Sequence, residues 1–167
     1  LDATDTQMGK FCGADGCRKG WVAVCENPST ESLSWAVFPT IEALLAQSPP
    51  VDLVALDVPI GLPDRGARVC DLEARQRLGR RKSSVFPAPL RDVLAANSYR
   101  EACQARTAAE GKGMSTQAWA IVPKIREVDG TLRSKPSLVG RVREVHPELC
   151  FCQMAGGQPM AHWKKPA

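Results

Sequence analysis

A chain of 167 residues, 44% hydrophobic and 24% charged, has the composition of an ordinary globular domain and is long enough to bury a core without staples. Its net charge of +4, from 22 Lys and Arg against 18 Asp and Glu, is too small to assign it to nucleic acid on total charge. No run approaches the ~18 apolar residues of a membrane helix, and the opening LDATDTQMGK lacks the apolar centre of a secretory signal. Membrane and secreted classes are therefore disfavoured, and a cytoplasmic protein is expected. The cysteines number seven, with no Cys-x-x-Cys among them, so free thiols in a reducing compartment are expected. Leu1 is not an initiator, Met8-Gly9-Lys10 is a more natural start, and the closing AHWKKPA carries no capping signal. Both ends read as those of a shortened chain, with residues 1–10 as an N-terminal extension.

Phe11 to Asp15 reads as a first strand, followed by a turn over Gly16 to Gly20 and a second strand from Trp21 to Glu26. Leu33 to Phe38 is a third strand. Thr40 can cap a short helix carrying Ile41, Leu44 and Leu45, which Ser48-Pro49-Pro50 stops. Val51 to Val58 is the clearest strand, with four consecutive apolar residues at its centre, as in the middle of a parallel sheet. Asp71 to Leu78 is helical and closes at Gly79, while the two prolines of SSVFPAP exclude regular structure. The spacing of Leu90, Val93, Leu94, Tyr99, Ala102 and Cys103 predicts one long amphipathic helix reaching Ala109. Ser115 can cap a further helix, kinked at Pro123. Val142 to His146 is a fifth strand, and Pro147 to Met154 starts another helix.

No repeat, low-complexity tract or linker interrupts residues 11–167, so a single domain is expected. The order βββαβα…β describes an α/β protein: a mixed sheet of about five strands with helices on both faces. Its first hairpin is antiparallel, and the fourth strand returns parallel to the first through a right-handed crossover.

Asp57 follows the buried fourth strand at its carboxyl end, where open α/β sheets place their sites. A carboxylate there needs a cation or hydrogen bonds; the alternative is an Asp that merely holds the Pro59-Ile60-Gly61 turn. Asp15 ends the first strand in the same way, before Gly16. If these strands are parallel neighbours, the two acids lie side by side, an arrangement that favours a divalent cation between them, Mg²⁺ or Mn²⁺. Glu144 and His146, two apart on the fifth strand, are expected on one face; the alternative is an edge strand facing water. Glu148 either joins them or sits in the first turn of a helix.

Between Asp64 and Lys82 there are seven basic and three acidic residues, which equals the net excess of the whole chain. Arg75, Arg80, Arg81 and Lys82 are the candidates for phosphate contact; a solvated helix face is the plainer alternative. Gly111-Lys112-Gly113 is not a Walker loop, because Arg106 occupies the position of the required glycine and the segment follows a helix. Lys112 stays as a lone candidate for phosphate.

The segments ADGCRKGWVAV, ALDVPIGLP, CDLEARQRLGRRKSSVFPAP, GKGMSTQAWAIVPKIREVD and EVHPEL occur in this order. Together they resemble the domain of unknown function 429 family, whose members are described as predicted nucleases with an RNase H-like fold. The resemblance covers most of residues 11 to 160. It implies that Asp15 matches the first-strand acid of RNase H-like enzymes, Asp57 the acid closing the fourth strand, and Glu144 the further carboxylate of a Mg²⁺ or Mn²⁺ site. Lys19 stands where the family commonly has glycine. The family pattern also continues past Ala167 into a late helix bearing paired aspartates, so the domain is expected to be truncated at its C-terminus.

Three functions compete. The leading one is a metal-dependent nuclease in which Asp15, Asp57 and Glu144 hold the cation, His146 relays protons and the basic segment engages nucleic acid. The second is a non-catalytic domain of the same fold that binds nucleic acid or protein. The third, suggested by the Asp15-Gly16 hairpin, is a relative of the actin-like ATPases and sugar kinases, but that architecture needs two lobes and 167 residues hold one.

Overall fold

The structure, a computed structural model, describes residues 9–162 apart from 28 and 31. All but Gly9 and Lys10 of the N-terminal extension, and the last five residues of the closing segment, lie outside this range. The described residues fall into two compact units interleaved along the chain. One, the sheet unit, comprises the residues up to Asp57 together with Glu127–Glu144; the other, the helical unit, comprises Val58–Arg126 and the residues from Val145 onward.

The sheet unit holds β1 (Phe11–Cys17), β2 (Gly20–Asn27), β3 (Ser32–Phe38), β4 (Leu53–Leu56) and β5 (Val142–Glu144). They form one mixed sheet in the order β3-β2-β1-β4-β5. The β1–β2 and β2–β3 pairs are antiparallel, and β1–β4 and β4–β5 are parallel, which bears out the α/β reading. The turn between β1 and β2 is shorter than expected, because Cys17 pairs with Gly20 and leaves only Arg18 and Lys19 between them. Gly20 has φ of +128°, and a Cβ there would lie 2.0 Å from the Phe38 carbonyl oxygen, so the start of β2 requires glycine.

Alternation gives the sheet two unlike faces. Cys12, Ala14, Trp21, Ala23, Cys25, Val54, Leu56 and Val142 are buried on one. Helix α1 (Ile41–Leu45) buries Ile41, Leu44 and Leu45 and is capped by Thr40, whose Oγ1 accepts from the Ala43 N–H at 3.1 Å. The half-buried Glu127 accepts from Trp21 Nε1 at 3.0 Å and from the Ile41 N–H at 2.6 Å, which satisfies one of the helix's unpaired first-turn donors. Across β1–β3 the other face carries Phe11, Val24, Leu33, Trp35 and Val37, all exposed.

The two-residue turn brings Cys12 and Cys25 into register, and they are joined in a disulfide. The expectation of seven free thiols is therefore corrected. Cys17, Cys70, Cys103, Cys150 and Cys152 are free thiols.

The helical unit contains α2 (Val69–Leu78), α3 (Tyr99–Glu110), most of α4 (Thr116–Ser134) and α5 (Pro147–Met154). Leu90, Val93, Ala96, Ala102, Met114, Ala118 and Val122 form one core cluster, and Ala74, Leu78, Val85 and Cys152 form another. The long helix expected from Leu90 to Ala109 is broken. Arg91–Ala95 is a 3-10 turn, and α3 starts afresh at Tyr99. The cause is a reciprocal cap: Ser98 Oγ accepts from the Glu101 N–H at 3.2 Å, while Glu101 Oε2 accepts from the Asn97 N–H at 2.8 Å.

Candidate carboxylate site

Asp15 and Asp57 meet at the carboxyl ends of the central parallel pair. The last register partners of β1 and β4 are Ala14 and Leu56, and the next residue on each strand is an aspartate. The Asp57 N–H donates to the Ala14 carbonyl oxygen at 3.3 Å, so the pairing carries through this position. Strand spacing then sets the two backbones roughly 5 Å apart. Asp15 Oδ1 accepts from the Gly16 N–H at 2.7 Å, which orients its carboxylate. Asp15 is exposed and Asp57 half-buried.

Glu144 does not join them. It is in register with Leu56, one row back from the aspartates, and the alternation that buries Leu56 assigns Glu144 to the opposite face. Among the described residues, no group of three or more His, Cys, Asp and Glu side chains is arranged to hold a metal ion. The three-carboxylate set implied by the resemblance is thus reduced to a pair. A pair still fits Mg²⁺, which binds through one or two carboxylates and completes its octahedron with water and phosphate oxygens. Arg143, which the sequence reading passed over, is in register with Ala55 and exposed. It lies on the face to which alternation assigns Asp15, and its Nη1 donates to the Val139 carbonyl oxygen at 2.9 Å.

His146 is also displaced from its expected position. β5 ends at Glu144, so the two residues share no strand face, and His146 is instead the N-cap residue of α5 in the helical unit. Its Nε2 lies 3.1 Å from the Ser84 carbonyl oxygen, whereas Nδ1 is buried without a hydrogen-bond partner.

The basic segment divides into structural and exposed members. Arg81 is 3% exposed and forms a two-pronged pair with Glu148: Nε donates to Oε2 at 3.1 Å and Nη2 to Oε1. Its Nη1 donates to the His162 carbonyl oxygen at 2.8 Å. A guanidinium so buried and engaged has nothing to offer a phosphate, so Arg81 leaves the candidate set, and Glu148 is accounted for as its counter-ion. Arg68 and Asp71 form a second buried pair, in which Arg68 Nε donates to Asp71 Oδ2 at 3.1 Å. Arg75 is half-buried and donates to the Val85 carbonyl oxygen at 2.7 Å. Arg80 and Lys82 are exposed, as is Lys112 in the loop between α3 and α4.

No helix among the described residues is long and apolar enough to cross a membrane. No curated protein and no solved structure matches the chain. A family model matches residues 13–167, which include every candidate residue discussed above: the chain belongs to the family described as "Protein of unknown function (DUF429)".

Proposed function

We propose that the chain is a divalent-cation-dependent phosphodiesterase acting on nucleic acid, with Asp15 and Asp57 as its cation-holding pair. The observation that carries this reading is their placement one residue past the last register pair of β1 and β4, at the carboxyl end of that parallel register. The strand order β3-β2-β1-β4-β5, antiparallel on one side of β1 and parallel on the other, supports an RNase H-like assignment.

Mg²⁺ or Mn²⁺ bound there would supply Lewis acidity toward a phosphoryl oxygen and an acidified water. The hydrogen bond from the Gly16 N–H holds Asp15 in one orientation, which lowers the entropy lost in forming the site. Arg143 offers a cationic group on the same face for a phosphate oxygen. Arg80 and Lys82, with Arg75 and Lys112 as weaker candidates, supply sequence-independent and salt-sensitive affinity.

The test is an assay of purified chain against single-stranded and duplex DNA and RNA in Mn²⁺. Cleavage is expected in the parent, with loss of at least about a hundredfold in Asp57→Asn while circular dichroism is unchanged. Undiminished cleavage by Asp57→Asn would overturn the assignment. The lack of a third clustered ligand among the described residues favours one second reading, binding without cleavage. That reading expects retention of nucleic acid in EDTA, weakened by Arg80→Ala and Lys82→Ala, and no turnover in any metal.

A further inference from the structure

The strand β3 is an edge of the sheet, with β2 as its one neighbour among the described residues. Edge strands usually carry a lysine, a proline, a bulge or a cover that stops them from recruiting another strand. Ser32–Phe38 reads SLSWAVF: seven residues with no charge and no proline, paired to β2 residue for residue without a bulge. Six of the seven are exposed, including Trp35 at 73%, Leu33 at 74% and Val37 at 43%.

We propose that two copies of this chain associate through β3, with each strand pairing antiparallel to its counterpart about a two-fold axis at Trp35, the middle residue of the strand. An isologous contact of this kind must be self-complementary, and the sequence meets that condition in this register. Trp35 meets its own counterpart, and Leu33 meets Val37 of the second copy on both sides of the axis. On the opposite face Ser34 meets Ala36 and Ser32 meets Phe38. No like charges are brought together, and the aromatic and aliphatic pairs are those that stabilise strand pairing.

The size of the contact sets its strength. Joining an edge of about 24 Å and covering these side chains buries roughly 500 Å² per copy, or about 1,000 Å² in all, the lower bound for a specific interface. A contact at that bound makes the dimer reversible. A second copy is favoured over a charged ligand because β3 offers no ionic group to recognise one.

Analytical ultracentrifugation of the full chain from about 1 to 200 μM measures the association. A monomer–dimer equilibrium is expected, with Trp35→Lys raising the dissociation constant at least about tenfold and Leu72→Lys, an exposed apolar position on α2, leaving it unchanged. In Trp35→Cys, the paired Cα atoms would lie about 5 Å apart across the axis, within disulfide reach. Mild oxidation should therefore cross-link this variant into a covalent dimer faster than Val24→Cys, on the next strand in. A chain that stays monomeric to 200 μM would overturn the proposal. So would a dimer equally weakened by Leu72→Lys, or one that Trp35→Cys fails to cross-link.

Discussion

Two pairs of acidic residues, one in each unit, are placed in opposite ways. The helical unit buries Asp71 against Arg68 and Glu148 against Arg81, in both cases with two-pronged guanidinium contacts. In the sheet unit, Asp15 stands exposed on β1 just past its last pair with β4, with Asp57 next to it in the extended β1–β4 register. A buried carboxylate with a fixed arginine is part of the fold, and its charge is already compensated. The Asp15 carboxylate, exposed and held by the Gly16 N–H, remains open to solvent. The concentration of basic residues between Asp64 and Lys82, which suggests a polyanion-binding stripe in sequence, is thus in part internal pairing.

Breaking a pair in the helical unit should have the largest effect. Glu148→Ala strands the Arg81 guanidinium in a buried site and should cost about 3–5 kcal/mol, read from the urea midpoint. Arg81→Met combined with Glu148→Leu should recover most of that loss, because an apolar pair of similar volume needs no compensation. In the sheet unit the comparable internal tie is the Cys12–Cys25 disulfide. It closes a loop of 13 residues in sequence separation, and reduction should lower stability by about 3 kcal/mol. Peptide mapping without reductant should recover Cys12 and Cys25 in one linked fragment. The smallest effect belongs to the exposed acid. Asp15→Asn keeps an acceptor for the Gly16 N–H and should change stability by no more than about 0.5 kcal/mol, a contrast with Glu148→Ala that sharpens the distinction between the units.

What could be read from the sequence follows how far apart the determining contacts lie along the chain. Asp57 was legible because it closes an apolar strand, and Asp15 because it stands just before the hairpin turn, both local signals, although β1 runs on to Cys17 rather than stopping at Asp15. The Thr40 and Ser115 caps were legible for the same reason, and the Ser115 Oγ accepts from the Ala118 N–H as expected. The break before α3 was legible too, in the capping box Ser98-Tyr99-Arg100-Glu101, but the apolar spacing running through it masked the signal. The disulfide hinged on the turn. A two-residue turn at Arg18-Lys19 dictates that Cys12 faces Cys25, whereas a loop over Gly16 to Gly20 sets no such register. Glu144 failed because strand periodicity names a residue's own alternation and leaves its register with a distant strand open; one row separates the face of Leu56 from that of Asp57. Arg81 could not be assigned locally, since its partner Glu148 lies 67 residues away.

Whether Asp15 and Asp57 together bind a divalent cation decides the proposed function. Electron paramagnetic resonance titration of Mn²⁺ into the chain, alone and as Asp15→Asn and Asp57→Asn, measures this without reference to any nucleic-acid substrate. The pair predicts binding in the millimolar range or tighter, weakened at least about tenfold by either substitution. Equal Mn²⁺ affinity in the parent and both variants would contradict it.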